Sequence, residues 1–278
     1  MAELMFGKLP PKLDKRTIRF KDILKVKKLP AIPEEYDIDR MLDVSDPNMY
    51  LNDELGDCVI AARAHMTLRF EKFEQAELIP ISDDEVKTEY FKETGGPDSG
   101  LVMLDSLNHW RKDGWTAGGK TYNIHAYASV DWKNHDQVKQ GIFLLSGVYF
   151  GMQVPQSAVD QFKAGKIWEV VANDGGIQGG HAVYTMAYVK ILAYNQVGPV
   201  IETWGKRVQA TWEFWDRYVD ECYVIVDNRD SWAGPDDPVD IEKLDAILAE
   251  ITSEPVNPTP VPTPPGCLFK FWPFRKRK

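Results

Sequence analysis

The chain has 278 residues, 44% of them hydrophobic and 12% aromatic, which is enough to bury the core of one large or two small domains and excludes a disordered chain or a small disulfide scaffold. The net charge of −9 argues against a protein that binds the phosphates of nucleic acid, so no nucleic-acid partner is predicted. The three cysteines, Cys58, Cys222 and Cys267, have neither metal-ligand spacing nor the even number of a disulfide framework, so we predict no metal site and no cofactor.

No stretch of the sequence has the roughly 18 apolar residues that a transmembrane helix needs, and the first 20 residues lack the apolar run of a signal peptide. We therefore expect no transmembrane segment and no secretion by a signal peptide. The expected location is the cytoplasm or the inside of a virion. An intracellular location together with the C-terminal tail described below suits a protein encoded by a bacterium or a bacteriophage.

Prolines are frequent near the start of the chain, which disfavours long helices and predicts that residues 1–28 form an extended arm. Apolar residues then recur at the helical period from Cys58 to about Phe73, which predicts a long helix. Ser82 and Glu85 form a capping-box pattern, which predicts the start of a second helix. Two further helices are predicted over residues 101–114 and 135–147.

The second half of the chain has the composition of β-strands. Four segments after Gly147 are rich in β-branched and aromatic residues and are bounded by glycine, proline or asparagine. They cover residues 148–154, 181–194, 199–205 and 221–227. Helices followed by strands predict an α+β fold rather than alternating β-α-β units.

A proline-rich spacer over residues 255–265 predicts a domain boundary near Ser253. The last 24 residues hold five bases and no acid, so the net charge of −9 divides into −14 for the preceding part and +5 for the tail. The tail interleaves aromatic and basic side chains, a pattern that suits docking to a partner, contact with an anionic membrane surface, or solvation alone. The predicted organisation is an arm, a domain over residues 29–253, and a tail over residues 254–278.

Cys58 is the candidate nucleophile because it begins the first long helix, where the positive end of the helix dipole favours a thiolate. A buried structural thiol is the alternative interpretation. His181 follows a glycine-rich turn at the start of a predicted strand and could act as a base toward a thiol that lies near it in space. Glu202 precedes Trp204 and Gly205 at a strand end, where its carboxylate could orient the imidazole.

Taken together, these segments resemble the papain-like cysteine peptidases. In that family an amide side chain stands six residues before the nucleophile and a glycine two residues before it, as Asn52 and Gly56 stand before Cys58. The family's His-Ala-Val is repeated at residues 181–183, and its Asn-Ser-Trp-Gly is similar to Glu-Thr-Trp-Gly at residues 202–205. The likeness spans roughly residues 29–227.

The resemblance implies a papain-like α+β fold, with a helical first subdomain that carries Cys58 on its long helix and an antiparallel, β-rich second subdomain. It implies hydrolysis of peptide or protein substrates by a Cys58 thiolate, with His181 as base and acid and Glu202 orienting it. Asn52 would donate a hydrogen bond to the oxyanion. The substrate-binding residues that the resemblance implies are Gly95, Gly96, Gly180 and Trp204.

Two other functions stay open from the sequence. One is a catalytically inactive papain-like module for binding or assembly, tethered by the C-terminal tail, which would dock on a partner. The other is a different Cys–His acyl transfer, such as amide hydrolysis in peptidoglycan or transamidation. The separation of 123 residues between Cys58 and His181 resembles the papain-like peptidases more than compact peptidoglycan amidases.

Overall fold

The computed structural model describes residues 4–45, 48–76 and 78–253. The proline-rich spacer and basic tail lie outside the described residues, so what the sequence predicts for them stays a prediction. Among the residues that are described, no helix combines the length and the apolar character needed to cross a membrane.

The four helices that the sequence predicts are all present. The Ser82 hydroxyl accepts a hydrogen bond from the Glu85 N–H, and the Glu85 carboxylate accepts one from the Ser82 N–H, so the predicted capping box is confirmed. The α-helices of the described residues are α1 (Ile38–Leu42), α2 (Cys58–Gln75), α3 (Asp83–Thr94), α4 (Met103–Lys112), α5 (His135–Leu144), α6 (Gln156–Lys163), α7 (Trp212–Tyr218) and α8 (Ile241–Ser253).

The strands form one large antiparallel sheet and a separate hairpin. The large sheet has the strand order β4-β9-β5-β6-β7-β8, with β1 paired to β6, and the hairpin joins β2 to β3. The strands are β1 (Tyr36–Asp37), β2 (Trp115–Ala117), β3 (Lys120–Tyr122), β4 (Ala126–Ser129), β5 (Val148–Pro155), β6 (Ile177–Ile191), β7 (Gln196–Thr203), β8 (Lys206–Gln209) and β9 (Val219–Val226).

The large sheet separates two hydrophobic clusters. Helices α2, α3 and α4 bury their apolar side chains on one side, and α2 packs along β6. The other side is covered by α5, α6, α7 and α8, together with Phe20 and Ile23 of the predicted arm, both fully buried. Burial of apolar surface on both faces is the main stabilising contribution to such a layered fold.

Three features differ from the sequence-based expectation. His181 does not begin its strand, because β6 starts four residues earlier at Ile177. The arm is not extended throughout, since it forms two short 3-10 helices, Phe20–Ile23 and Val26–Lys28. The sequence interpretation also omitted α1, α6 and α7, which have five to eight residues, and α8, which has 13.

Candidate active site

Cys58 is the first residue of α2, and its thiol is almost completely buried. The backbone N–H of Ala182, on β6, donates to the Cys58 Sγ at 3.4 Å. This contact joins the start of the central helix to the sheet at the residue that follows His181. The structure therefore places the predicted nucleophile against the residue of β6 that follows the predicted base.

The His181 ring is held on one face and at one nitrogen. Its plane stacks on the Trp204 indole, with ring centroids 4.2 Å apart and an interplanar angle of 11°. Nε2 lies 2.8 Å from the Thr203 hydroxyl oxygen, whereas Nδ1 is buried and has no hydrogen-bond partner. Nδ1 is therefore the nitrogen left to accept a proton.

The turn that follows β7 sets the position of Trp204. Trp204 and Gly205 form a two-residue loop between the paired residues Thr203 and Lys206, and both loop residues have positive φ, at 43° and 68°. Such a loop matches the twist of a hairpin and usually holds asparagine or glycine. The Trp204 indole in this turn stacks on His181 and covers one face of the imidazole.

Glu202 does not occupy the place that the resemblance implied. It lies opposite Tyr184 in the β6–β7 ladder, and its carboxylate is 3.0 Å from Nη2 of the buried Arg69. Because successive residues of a strand point to opposite faces, Glu202 and Thr203 face different sides of β7. The partner of His181 Nε2 is thus Thr203, a residue that the sequence interpretation missed although it stands beside Glu202 in the same motif.

Asn52 lies close to the nucleophile but its amide is already engaged. Nδ2 donates to the Leu55 carbonyl oxygen and to Oδ1 of Asp57, each at 3.1 Å. The Asp57 carboxyl is fully buried, and burial raises its pKa to about 8. An oxyanion contact from Asn52 would require the amide to exchange one of these two bonds.

An extended part of the chain, residues 4–9, lies across the site, and we call it the cleft segment. The Phe6 ring meets the His181 ring edge-on, with centroids 6.2 Å apart, and the Met5 carbonyl oxygen accepts a hydrogen bond from the Trp204 indole. The backbone of Gly7 lies against that of Gly56, and the Gly7 N–H acts to lower the pKa of the Cys58 thiol.

The backbone of the cleft segment is hydrogen-bonded on both sides. The Lys8 N–H donates to the Gly180 carbonyl oxygen at 3.0 Å, which places the predicted substrate-binding residue Gly180 against an extended peptide. On the other side the Leu101 N–H donates to the Gly7 carbonyl oxygen at 2.8 Å, and the Leu9 N–H donates to the Leu101 carbonyl oxygen at 2.9 Å. The cleft thus binds main chain in the manner of strand addition.

Glycine at position 7 permits this close approach. A Cβ on Gly7 would lie 1.6 Å from the Gly56 carbonyl oxygen, far inside van der Waals contact. Gly95 and Gly96, the other predicted substrate-binding residues, have no neighbouring atom within 4 Å of the site of a Cβ. The backbone that pairs with the cleft segment is Leu101, a few residues later in the chain.

The enclosed thiol and imidazole are both neutral in this arrangement. Burial raises the pKa of the Cys58 thiol to about 11, against the opposing effect of the Ala182 and Gly7 N–H groups. Burial lowers the pKa of His181 to about 3. Near neutral pH the pair is therefore a thiol and an uncharged imidazole while the cleft segment is in place.

Two groups of side chains have the spacing of metal ligands, and neither includes the candidate catalytic residues. Among the described residues they are Glu89, Glu93 and His109, and Glu71, Glu74 and Asp227. In the first group the buried Arg63 guanidinium contacts both glutamates, and Lys92 also pairs with Glu89.

Neither a family model nor the sequence of a curated protein matches the chain, but solved structures match it. Xylellain, a cysteine protease from Xylella fastidiosa, is similar with a TM-score of 0.61 and 18% identity, over 81% of this chain and 96% of that one. The chain has the papain-like fold. Procathepsin B from Trypanosoma congolense has a TM-score of 0.56 and 11% identity over 81% and 87% of the two chains. Bromelain from Ananas comosus has a TM-score of 0.51 and 13% identity over 71% and 100%.

The predicted α+β, papain-like architecture is thereby confirmed. In this papain-like fold the long helix carries Cys58 at its first residue, and the antiparallel sheet carries His181, as the sequence interpretation expected. Sequence identities of this size bear on the fold, so the activity is argued from the site.

Proposed function

We propose that the protein is a cysteine peptidase that hydrolyses peptide bonds with Cys58 as its nucleophile. The observation that carries this proposal is the extended polypeptide lying over a thiol that contacts the residue after His181, with its backbone hydrogen-bonded to Gly180 on one side and Leu101 on the other. A cleft that holds main chain at a nucleophile suits peptide substrates. The papain-like fold, shared with cysteine proteases, supports the same conclusion.

In the proposed reaction a substrate takes the place of the cleft segment. Nδ1 of His181 accepts the thiol proton, the Cys58 thiolate attacks the scissile carbonyl carbon, and the imidazolium gives its proton to the leaving amine. Water, activated by His181, then hydrolyses the thioester. The Thr203 hydroxyl oxygen accepts a hydrogen bond from Nε2–H, which keeps the second nitrogen basic and fixes the ring.

The developing oxyanion would meet the first turn of α2. The backbone N–H of Cys58 belongs to the helix start, where N–H groups have no intrahelical acceptor and the helix dipole favours negative charge. Asn52 would add a second donor once its amide exchanges its bond to Leu55 or Asp57. One such donor contributes on the order of 3 kcal/mol to transition-state stabilisation.

The peptidase is proposed to act only when the cleft segment has left the site. In the closed arrangement neither the thiolate nor the imidazolium is favoured, because burial shifts both pKa values toward the neutral forms. Departure of the segment admits water and lowers the desolvation cost of the ion pair. Location in the cytoplasm or a virion, and docking of the tail, stay predictions from the sequence.

The test uses the full chain with Gly7→Ala, which should displace the cleft segment because the added methyl group overlaps the Gly56 backbone. Hydrolysis of a peptide library is followed by mass spectrometry. We expect cleavage that is lost when Cys58→Ala is added. The matched control is Cys222→Ala, which removes the other buried thiol that the structure describes and should leave cleavage intact.

Cleavage that persists without the Cys58 thiol would contradict the proposal. Absence of cleavage in a folded Gly7→Ala chain whose Cys58 is freely alkylated would also contradict it, and would favour the alternative of an inactive binding or assembly module.

A further inference from the structure

The side chain of Lys8 in the cleft segment is completely enclosed. Lysine is almost never fully buried unless its charge is paired. Here Nζ lies 2.9 Å from Oδ1 of Asp220 and 3.0 Å from Oε1 of Glu221, and it also donates to Oδ2 of Asp220 at 3.0 Å. Two carboxylates therefore surround one ammonium group at the edge of the cleft.

A β-bulge brings the two acids to one place. In the β5–β9 ladder Gly151 pairs with Glu221 and Met152 pairs with Val219, so Asp220 is an extra residue in β9. Without the bulge, Asp220 and Glu221 would point to opposite faces of the sheet. Bulges redirect side chains in this way and are frequent beside active sites.

Gly151 gives the pocket its depth. A Cβ at this position would lie 1.9 Å from Cε of Lys8 and 2.9 Å from Cγ of Glu221. The methylene stem of Lys8 thus occupies the space that any other residue on β5 would fill. The pocket is shaped for a long, unbranched side chain that ends in a cation.

Neighbouring donors hold the carboxylates in position. The Gln153 amide donates to Oδ2 of Asp220 at 2.7 Å, and the Tyr223 hydroxyl donates to Oε2 of Glu221 at 3.0 Å. Neither donor carries a charge, so when Lys8 leaves, the pocket keeps two acids with no cation between them. Burial raises the pKa of Glu221 and the Lys8 charge opposes that rise, which indicates that a cation is the occupant that suits this pocket.

The pocket lies on one definite side of the nucleophile. Gly7 lies against the backbone of Gly56, two residues before Cys58, and Phe6 lies against His181, the group that protonates the leaving amine in the proposed reaction. The Phe6 side is therefore the leaving-group side. Lys8, one residue after Gly7, lies on the acyl side, so the cleft segment runs in the direction opposite to that of a substrate, whose acyl residues precede the scissile bond.

We propose that the pocket formed by Gly151, Gln153, Asp220 and Glu221 selects substrates with a basic side chain at the second residue before the scissile bond. The inference rests on the proposed peptidase function and names its substrate class. The Lys8 side chain occupies the pocket as a substrate lysine side chain would, although the backbone that carries it runs in the opposite direction.

The test uses the full chain with Gly7→Ala, which displaces the cleft segment, and Lys8→Met, which withdraws the ammonium group while keeping an unbranched side chain. Two fluorescent peptides differ only at the second residue before the scissile bond, which is lysine in one and norleucine in the other. Cleavage is measured as kcat/KM, and binding is measured by fluorescence anisotropy with Cys58→Ala added. We expect the lysine peptide to be preferred at least about 10-fold in both measurements, as is typical of a buried charge pair.

The preference should fall to about 2-fold or less in Asp220→Asn and in Glu221→Gln, because each removes one negative charge from the pocket. Asp216→Asn on α7 is the matched control, since its exposed carboxylate pairs with His135 away from the cleft, and it should keep the preference. If Glu221→Gln does not fold, the preference of Asp220→Asn decides the test, because substitution of the partly exposed Asp220 side chain is less disruptive to folding.

Equal affinity and equal kcat/KM for the two peptides, or no binding of either, overturns the pocket assignment. Selective binding of the lysine peptide without any cleavage supports the pocket and contradicts the peptidase proposal. Cleavage of both peptides at equal rates supports the peptidase proposal and contradicts the pocket.

Discussion

The Thr203 hydroxyl oxygen lies 2.8 Å from Nε2 of His181, while the adjacent Glu202 contacts Arg69 on the other face of the same strand. One residue therefore positions the imidazole and its neighbour supports the packing of α2 on the sheet. Because the two side chains act on different faces, their substitutions should have separable effects.

Thr203→Val should lower kcat/KM about 10- to 100-fold, because a hydrogen bond to a group that becomes charged contributes roughly 1.5–3 kcal/mol. The free energy of unfolding should change little. Steady-state kinetics of the Gly7→Ala background checks this, and Thr203→Ser, which keeps the hydroxyl, should restore most of the rate. Full activity of the valine variant would mean that Thr203 does not position His181.

Glu202→Gln should act on stability instead. It leaves the buried Arg69 guanidinium with Asp39, whose oxygens lie 2.7 and 2.8 Å from it, and removes the second carboxylate. We expect a loss of about 1.5–3 kcal/mol in the free energy of unfolding, measured by urea denaturation, because a buried hydrogen bond between two charged groups is weakened. The control is Glu213→Gln on the exposed surface of α7, which should leave the free energy of unfolding unchanged. A fall in kcat of Glu202→Gln without a fall in the free energy of unfolding would contradict this assignment.

Gly7→Ala should make the Cys58 thiol reactive. With the cleft segment in place, the pKa of about 11 predicts slow alkylation by iodoacetamide until strongly alkaline pH, since the thiolate is the reactive form. Displacing the segment should lower the apparent pKa below the free-thiol value of about 8.5. The pH dependence of alkylation measures this, and Leu13→Ala, at a side chain that is 96% exposed, is the control. Identical pH profiles for the two variants would show that the segment does not protect the thiol.

Asp57 should make stability fall as the pH rises. The carboxyl has a pKa near 4 in the unfolded chain and about 8 in the folded protein, so between these values the folded state binds the proton more tightly. The stabilisation is complete below pH 4 and is lost up to about pH 8, at roughly 1.4 kcal/mol per unit of pKa difference. Asp57→Asn cannot ionise and should flatten the curve of unfolding free energy against pH. Glu54→Gln, at an exposed neighbour, should not, and an unchanged slope in Asp57→Asn would refute the burial argument.

The sequence was sufficient for the helices and strands that carry periodic patterns. α2 and α3 begin at Cys58 and after Ser82 as predicted, because a cap and a regular apolar repeat are local signals. The neighbourhood of Cys58 and His181 followed from the family resemblance rather than from any local pattern.

The contacts that decide the roles of side chains could not be read from the sequence. Whether Glu202 or Thr203 faces His181 depends on the register of β7 against β6. A shift of one residue in that register would move every side chain of β7 to the opposite face of the sheet. The bulge at Asp220 is likewise a property of strand pairing and has no sequence signal of its own. The sequence pointed to Gly95 and Gly96 as the backbone that binds an extended peptide, whereas the cleft segment pairs with Leu101. Only the tertiary structure shows which backbone meets the segment.

The cleft segment is covalently joined to the domain that it occupies, and this sets a condition on every competing ligand. A tethered peptide acts at an effective concentration in the millimolar range, whatever the concentration of the protein. A free peptide must therefore overcome a competitor that dilution does not remove, so its measured affinity understates the affinity of the open cleft. Dilute peptides compete poorly, whereas a substrate held near the cleft by a second contact competes at a comparable local concentration.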